Sequence, residues 1–88
     1  MVEKEITVSN PNGIHARPSA EIAKTASKFK SDITLIKGDM QTDAKNILNV
    51  LMLCIPYNTE ITIRASGEDE KEALQAVEEA FTMRFDKK

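Results

Sequence analysis

Two hydrophobic periods alternate along this chain within 88 residues, and that alternation constrains the fold more than any single residue does. A stretch that is apolar at every second position offers one face of a sheet; one apolar at every third or fourth offers a helix stripe. A chain this short can build one hydrophobic core but not two, so both kinds of element must share it. The expectation is one domain spanning residues 1–88, with a layer of helices on a small sheet.

Val2, Ile6 and Val8 mark one face of a first strand, interrupted by Lys4, which ends at the turn-forming Ser9, Asn10, Pro11, Asn12 and Gly13. From Ala16 to Phe29 the apolar positions Pro18, Ile22, Ala26 and Phe29 recur at intervals of four, four and three, which predicts a helix starting at or just after His15. Pro18 suits its first turn, where a missing N–H costs little. Ile33 to Lys37 and Met40 to Asp43 read as two strands around a tight Gly38-Asp39 turn. Ala44 to Leu53 reads as a short second helix with Asn46 as N-cap and Ile47, Val50, Leu51 and Cys54 on one side; Pro56, Tyr57 and Asn58 break it. Glu60 to Ala65 alternates as a fourth strand. Asp69 and Glu72 suggest a variant capping box for a third helix with Leu74, Val77, Phe81 and Phe85 inward and an acidic outer face. The order βαββαβα argues for an α+β sandwich with helices on one face of an antiparallel sheet. The second helix carries more apolar residues than a two-turn element can hide, namely Ile47, Leu48, Val50, Leu51, Met52 and Leu53, so either neighbouring loops cover the surplus or it stays exposed.

Several function classes are disfavoured. A net charge of −2, with twelve basic residues scattered among acidic ones, three Phe, one Tyr and no Trp, argues against nucleic-acid binding. The longest apolar run, Val50 to Pro56, is far short of the roughly 20 residues of a membrane span, so no membrane insertion is expected. The first residues show no secretory leader, and the cytoplasm is the expected location. One cysteine and one histidine make neither an internal disulfide nor a zinc site; no metal or cofactor is expected.

The single histidine, His15, lies between Gly13 and Pro18 where a loop meets a helix. A neutral imidazole there can attack a phosphoryl group, and the phosphohistidine formed would place negative charge against the unpaired N–H groups and positive dipole end of the helix, at Ala16 and Arg17. The Arg17 guanidinium can add charge-assisted hydrogen bonds. The same positive surroundings disfavour protonation of His15 and keep the nucleophile neutral. Alone, His-x-Arg describes many exposed loops. Glycine, histidine, arginine and proline together, between a strand and a helix, describe far fewer.

The segment Asn12-Gly13-Ile14-His15-Ala16-Arg17-Pro18-Ser19-Ala20 resembles the active-site segment of the HPr family, the histidine-containing phosphocarriers of the bacterial sugar phosphotransferase system. The stretches Ala44 to Leu48 and Gly67 to Glu70, the chain length and the element order resemble it too. The resemblance implies an open-faced β-sandwich with a four-stranded antiparallel sheet of strand order 1-4-2-3 and three helices on one face. It implies that His15 is phosphorylated on Nδ1 by enzyme I, which draws on phosphoenolpyruvate, and passes the group to enzyme IIA domains, with Arg17 as electrostatic partner. Partners in that family dock on the apolar surface of the first and second helices, which maps to Ala20, Ile47, Leu48 and Leu51 and gives the surplus a purpose. A monomer is expected. One departure stands out: Asn46 occupies the place of the family's regulatory serine, and asparagine cannot be phosphorylated. Two other readings keep the same residues: a nitrogen-branch or regulatory paralogue that serves regulatory partners, and, less well supported by the sequence, a free-standing enzyme using His15 as acid or base, which would need a pocket and a second catalytic group.

Overall fold

A computed structural model describes residues 1–8, 16–53, 55, 56 and 58–82, with the backbone alone at 16–18 and 82. Seven elements follow in the expected order: β1 (Val2–Thr7), α1 (Ala16–Ala26), β2 (Asp32–Lys37), β3 (Met40–Asp43), α2 (Ile47–Met52), β4 (Glu60–Ser66) and α3 (Glu70–Thr82). The four strands form one antiparallel sheet ordered β1-β4-β2-β3, as the resemblance implied. The period-2 residues set its register. Ile63 stands opposite Lys4 on one side and Leu35 on the other, while Arg64 stands between Glu3 and Thr34. Ile33, Leu35, Ile61, Ile63 and Ala65 therefore point to one face, where they are buried with Ile22 and Ala26 of α1, Val50 of α2, and Ala73, Val77 and Phe81 of α3. The opposite face carries polar neighbours such as the Arg64 Nε–Glu3 Oε2 pair at 2.6 Å. Lys4, which breaks the apolar alternation of β1, reaches Glu78 of α3 at 2.8 Å, so a charge on the helix side of the sheet meets its counter-ion.

The turns explain themselves locally. Lys37 pairs with Met40 across a two-residue turn in which Gly38 adopts φ 58°, a conformation that costs glycine nothing. Asn58 takes φ 68°, which asparagine tolerates, and its N–H donates to the Val8 carbonyl at 2.8 Å, carrying the β1–β4 pairing one step further.

Three expectations are corrected. α1 ends at Ala26 rather than Phe29, because the chain tightens there: Lys28 N–H bonds the carbonyl of Thr25, and Phe29 N–H that of Ala26. α2 is six residues rather than ten, since Ala44 is drawn into the sheet when its N–H donates to the Ile33 carbonyl at 2.9 Å. The capping arrangement of α3 lies elsewhere than Asp69 with Glu72. Glu70 Oε1 accepts the Gly67 N–H at 3.1 Å, and the Asp69 carboxylate turns instead to the loop before β2, accepting from Lys30 N–H, Ser31 N–H and the Ser31 hydroxyl. Gly67 is required at this junction: it sits at φ 152°, and a Cβ there would lie 2.6 Å from Ser31 Oγ and 2.7 Å from Ser31 Cα. Cys54, Tyr57 and Phe85 lie outside the described residues.

Candidate functional site

α1 lies between its two sister helices, packed against α3 on one side and α2 on the other. Its N-terminal residues, Ala16 and Arg17, are helical, so their N–H groups have no intrahelical partner and the helix dipole points its positive end at the mouth of α1. His15 lies outside the described residues, and so does the Arg17 side chain. Ala20, one turn further along α1, is half-buried.

The apolar surplus of α2 is exposed. Val50 and Leu53 are buried in the core and Leu51 is half-buried, whereas Ile47 is 45% exposed, Leu48 69% and Met52 70%. Asn46 initiates the helix: its backbone is extended (φ −109°, ψ 116°) and its side-chain oxygen accepts from Asn49 N–H at 3.1 Å. Six residues are too few for a helix to persist on local bonds alone. Contacts from outside hold it. Lys37 of β2 donates its ammonium to the Leu53 carbonyl at 2.7 Å, satisfying the helix C-terminus, while Lys45, just before the N-cap, donates to the Phe29 carbonyl at 2.9 Å beyond the end of α1. The second bond ties the start of α2 to the segment that follows α1.

Sequence reasoning missed Lys37 and Lys45, and counted Met52 in the apolar surplus without assigning it to the docking surface. Met52 stands four positions after Leu48 and so shares its exposed side of α2; that spacing was the available signal. Lys37 and Lys45 gave none, because their acceptors, Leu53 and Phe29, lie 16 residues away in each case. Among the described residues, no group of three or more His, Cys, Asp or Glu could hold a metal ion, and no helix is long and apolar enough to cross a membrane.

An open-faced βαββαβα sandwich, with an exposed apolar face on α2 and α2 packed against the helix that follows the only histidine, is the architecture of a class of small phosphocarrier domains. The chain belongs to the HPr family of the phosphotransferase system: the family model for the "PTS HPr component phosphorylation site" matches residues 2–83, a span that contains His15 and Arg17. It is 44% identical to the phosphocarrier protein HPr of Xylella fastidiosa (strain Temecula1) over 97% of this chain and 96% of that protein. Among solved structures it resembles HPr from Thermoanaerobacter tengcongensis, with a TM-score of 0.92 and 34% identity, covering 100% of this chain and 99% of that one. The histidine-containing phosphocarrier protein of a Mycoplasma gives a TM-score of 0.86 and 40% identity, covering 90% of both chains.

Proposed function

We propose that this chain carries phosphoryl groups from enzyme I to enzyme IIA domains of sugar permeases, in the cytoplasm and as a monomer. The carrying observation is the exposed Ile47–Leu48–Met52 face of α2, tied beside α1, the helix that opens directly after His15. In the reaction the neutral His15 imidazole attacks the phosphorus through Nδ1; the N–P bond forms as the bond to the donor breaks, and the donor keeps that electron pair. Arg17 and the first N–H groups of α1, at Ala16 and Arg17, stabilise the charge on the phosphoryl oxygens. In onward transfer a IIA acceptor attacks the phosphorus, its new bond forming as the His15 N–P bond breaks and His15 keeps that electron pair. Charge stabilisation by a helix end and one guanidinium leaves the phosphoryl group accessible to the next acceptor. Ala20, Ile47, Leu48 and Leu51 provide the apolar surface on which both partners sit, and Met52 adds to it.

The test combines purified protein, enzyme I, phosphoenolpyruvate and candidate IIA domains, read by intact mass. One phosphoryl group gained with enzyme I and lost on adding a sugar-specific IIA domain is the expected result. Transfer only to a regulatory IIA protein would move the chain to the regulatory branch, and no gain at all would overturn the carrier role.

A further inference from the structure

Met52 matches Leu48 in exposure and lies one helical turn away from it on the same side of α2. Among the exposed side chains of that face, Ile47, Leu48 and Met52, the thioether is the one that a mild two-electron oxidant can change; the two hydrocarbons are inert to it. We infer that Met52 is a reversible oxidation site, at which an oxidant of the peroxide class makes the α2 face polar and weakens partner docking. The inference rests on the docking role proposed above for this face.

The chemistry balances with peroxide as the only co-reactant. A sulfur lone pair attacks one peroxide oxygen, the S–O bond forms as the O–O bond breaks, sulfur gives up two electrons, and the other oxygen leaves as water. In the reverse direction a thiol-dependent sulfoxide reductase supplies two thiols, which become a disulfide, and the oxygen leaves as water. The sulfoxide is a strong hydrogen-bond acceptor on a surface that offers no donor side chain at Ile47 or Leu48. Docking an apolar partner over it would strip its water without replacement, at a cost that weakens binding by about tenfold.

Met1 provides an internal control. It is 71% exposed, so peroxide reaches it as readily, but its amino group pairs with Glu70 Oε1 of α3 at 3.0 Å rather than lying on α2. The experiment treats the full chain with hydrogen peroxide, maps oxygen uptake by peptide mass spectrometry and measures affinity for enzyme I by calorimetry. Expected are oxygen on Met1, on Met40 of β3, which is also exposed, and on Met52, affinity reduced about tenfold, and recovery after treatment with sulfoxide reductases for both epimers. A Met52→Leu variant, which keeps the apolar face, should bind as tightly after peroxide as before. The inference is overturned if oxidised wild-type protein binds unchanged, if Met1 gains oxygen while Met52 does not, or if Met52→Leu loses as much affinity as the wild type. Untreated protein that does not bind enzyme I would overturn the docking reading itself, and the inference with it.

Discussion

At the scale of single residues, the Asp69 carboxylate ties the start of α3 to the Lys30–Ser31 loop, 38 or 39 positions away in the sequence. The Ser31 hydroxyl, followed by the Lys30 N–H, holds the Asp69 carboxyl below the usual aspartate range. The Gly67 N–H, followed by the terminal amino group, does the same for Glu70. A carboxylate whose pKa is lower folded than unfolded contributes stability that is present above its unfolded pKa and lost as pH falls through its folded pKa. Stability should therefore fall in acid, below the ordinary carboxylate range. Asp69→Asn should be less stable than the wild type near neutral pH, with the gap closing in acid, where the wild-type carboxyl is itself protonated. Urea midpoints of both proteins at neutral and strongly acidic pH measure this, and a gap independent of pH would show that the charge on Asp69 contributes nothing.

At the scale of elements, α2 is the informative one, because its two sides serve different ends. Val50 and Leu53 hold it to the core, while Ile47, Leu48 and Met52 face out. Leu48→Glu should consequently leave the urea midpoint nearly unchanged and weaken binding to enzyme I by about 2 kcal/mol or more, the size of a strong interface anchor. A variant that unfolds would place Leu48 in the core after all. The start of the same helix yields a second expectation. Asn46 caps α2 through its side-chain oxygen about as well as serine would, yet it offers no hydroxyl to a kinase. Incubated with an HPr kinase and ATP, the wild-type chain should remain unmodified between Ala44 and Met52 and Asn46→Ser should gain phosphate; phosphate on the wild-type segment would refute this. Phosphoserine there would add a charge of about −1.5 to −2 beside Ile47 and Leu48, so a chain with Asn46 behaves as permanently unmodified.

At the scale of the whole molecule, much of the buried core, Leu35, Ile63, Val77 and Phe81 among it, comes from residues distant in sequence from His15. Folding and phosphoryl transfer should then separate cleanly. His15→Ala should keep the circular dichroism spectrum and the urea midpoint of the wild type while accepting no phosphoryl group from enzyme I, and Arg17→Ala should fold equally well and transfer more slowly. Phosphate gained by His15→Ala would remove the nucleophile from the proposal, and unchanged rates in Arg17→Ala would make that residue a bystander.

Element type and order were determined by the sequence alone, because periods of two and of three to four are properties of neighbouring residues: Ile61, Ile63 and Ala65 alternate whatever they pack against. The histidine motif was legible for the same reason, being contiguous. The limits of α1 and α2 were not, since Phe29 and Ala44 have apolar side chains that fit the helix pattern, and what ends or excludes the helix there is a tightened turn and a backbone bond to Ile33. Nor could the sequence decide which apolar residues of α2 would face water. That division follows from where the helix is anchored, by Lys37 at one end and by Lys45 to α1 at the other, and bonds between residues 16 apart form only when the sheet and helices have come together.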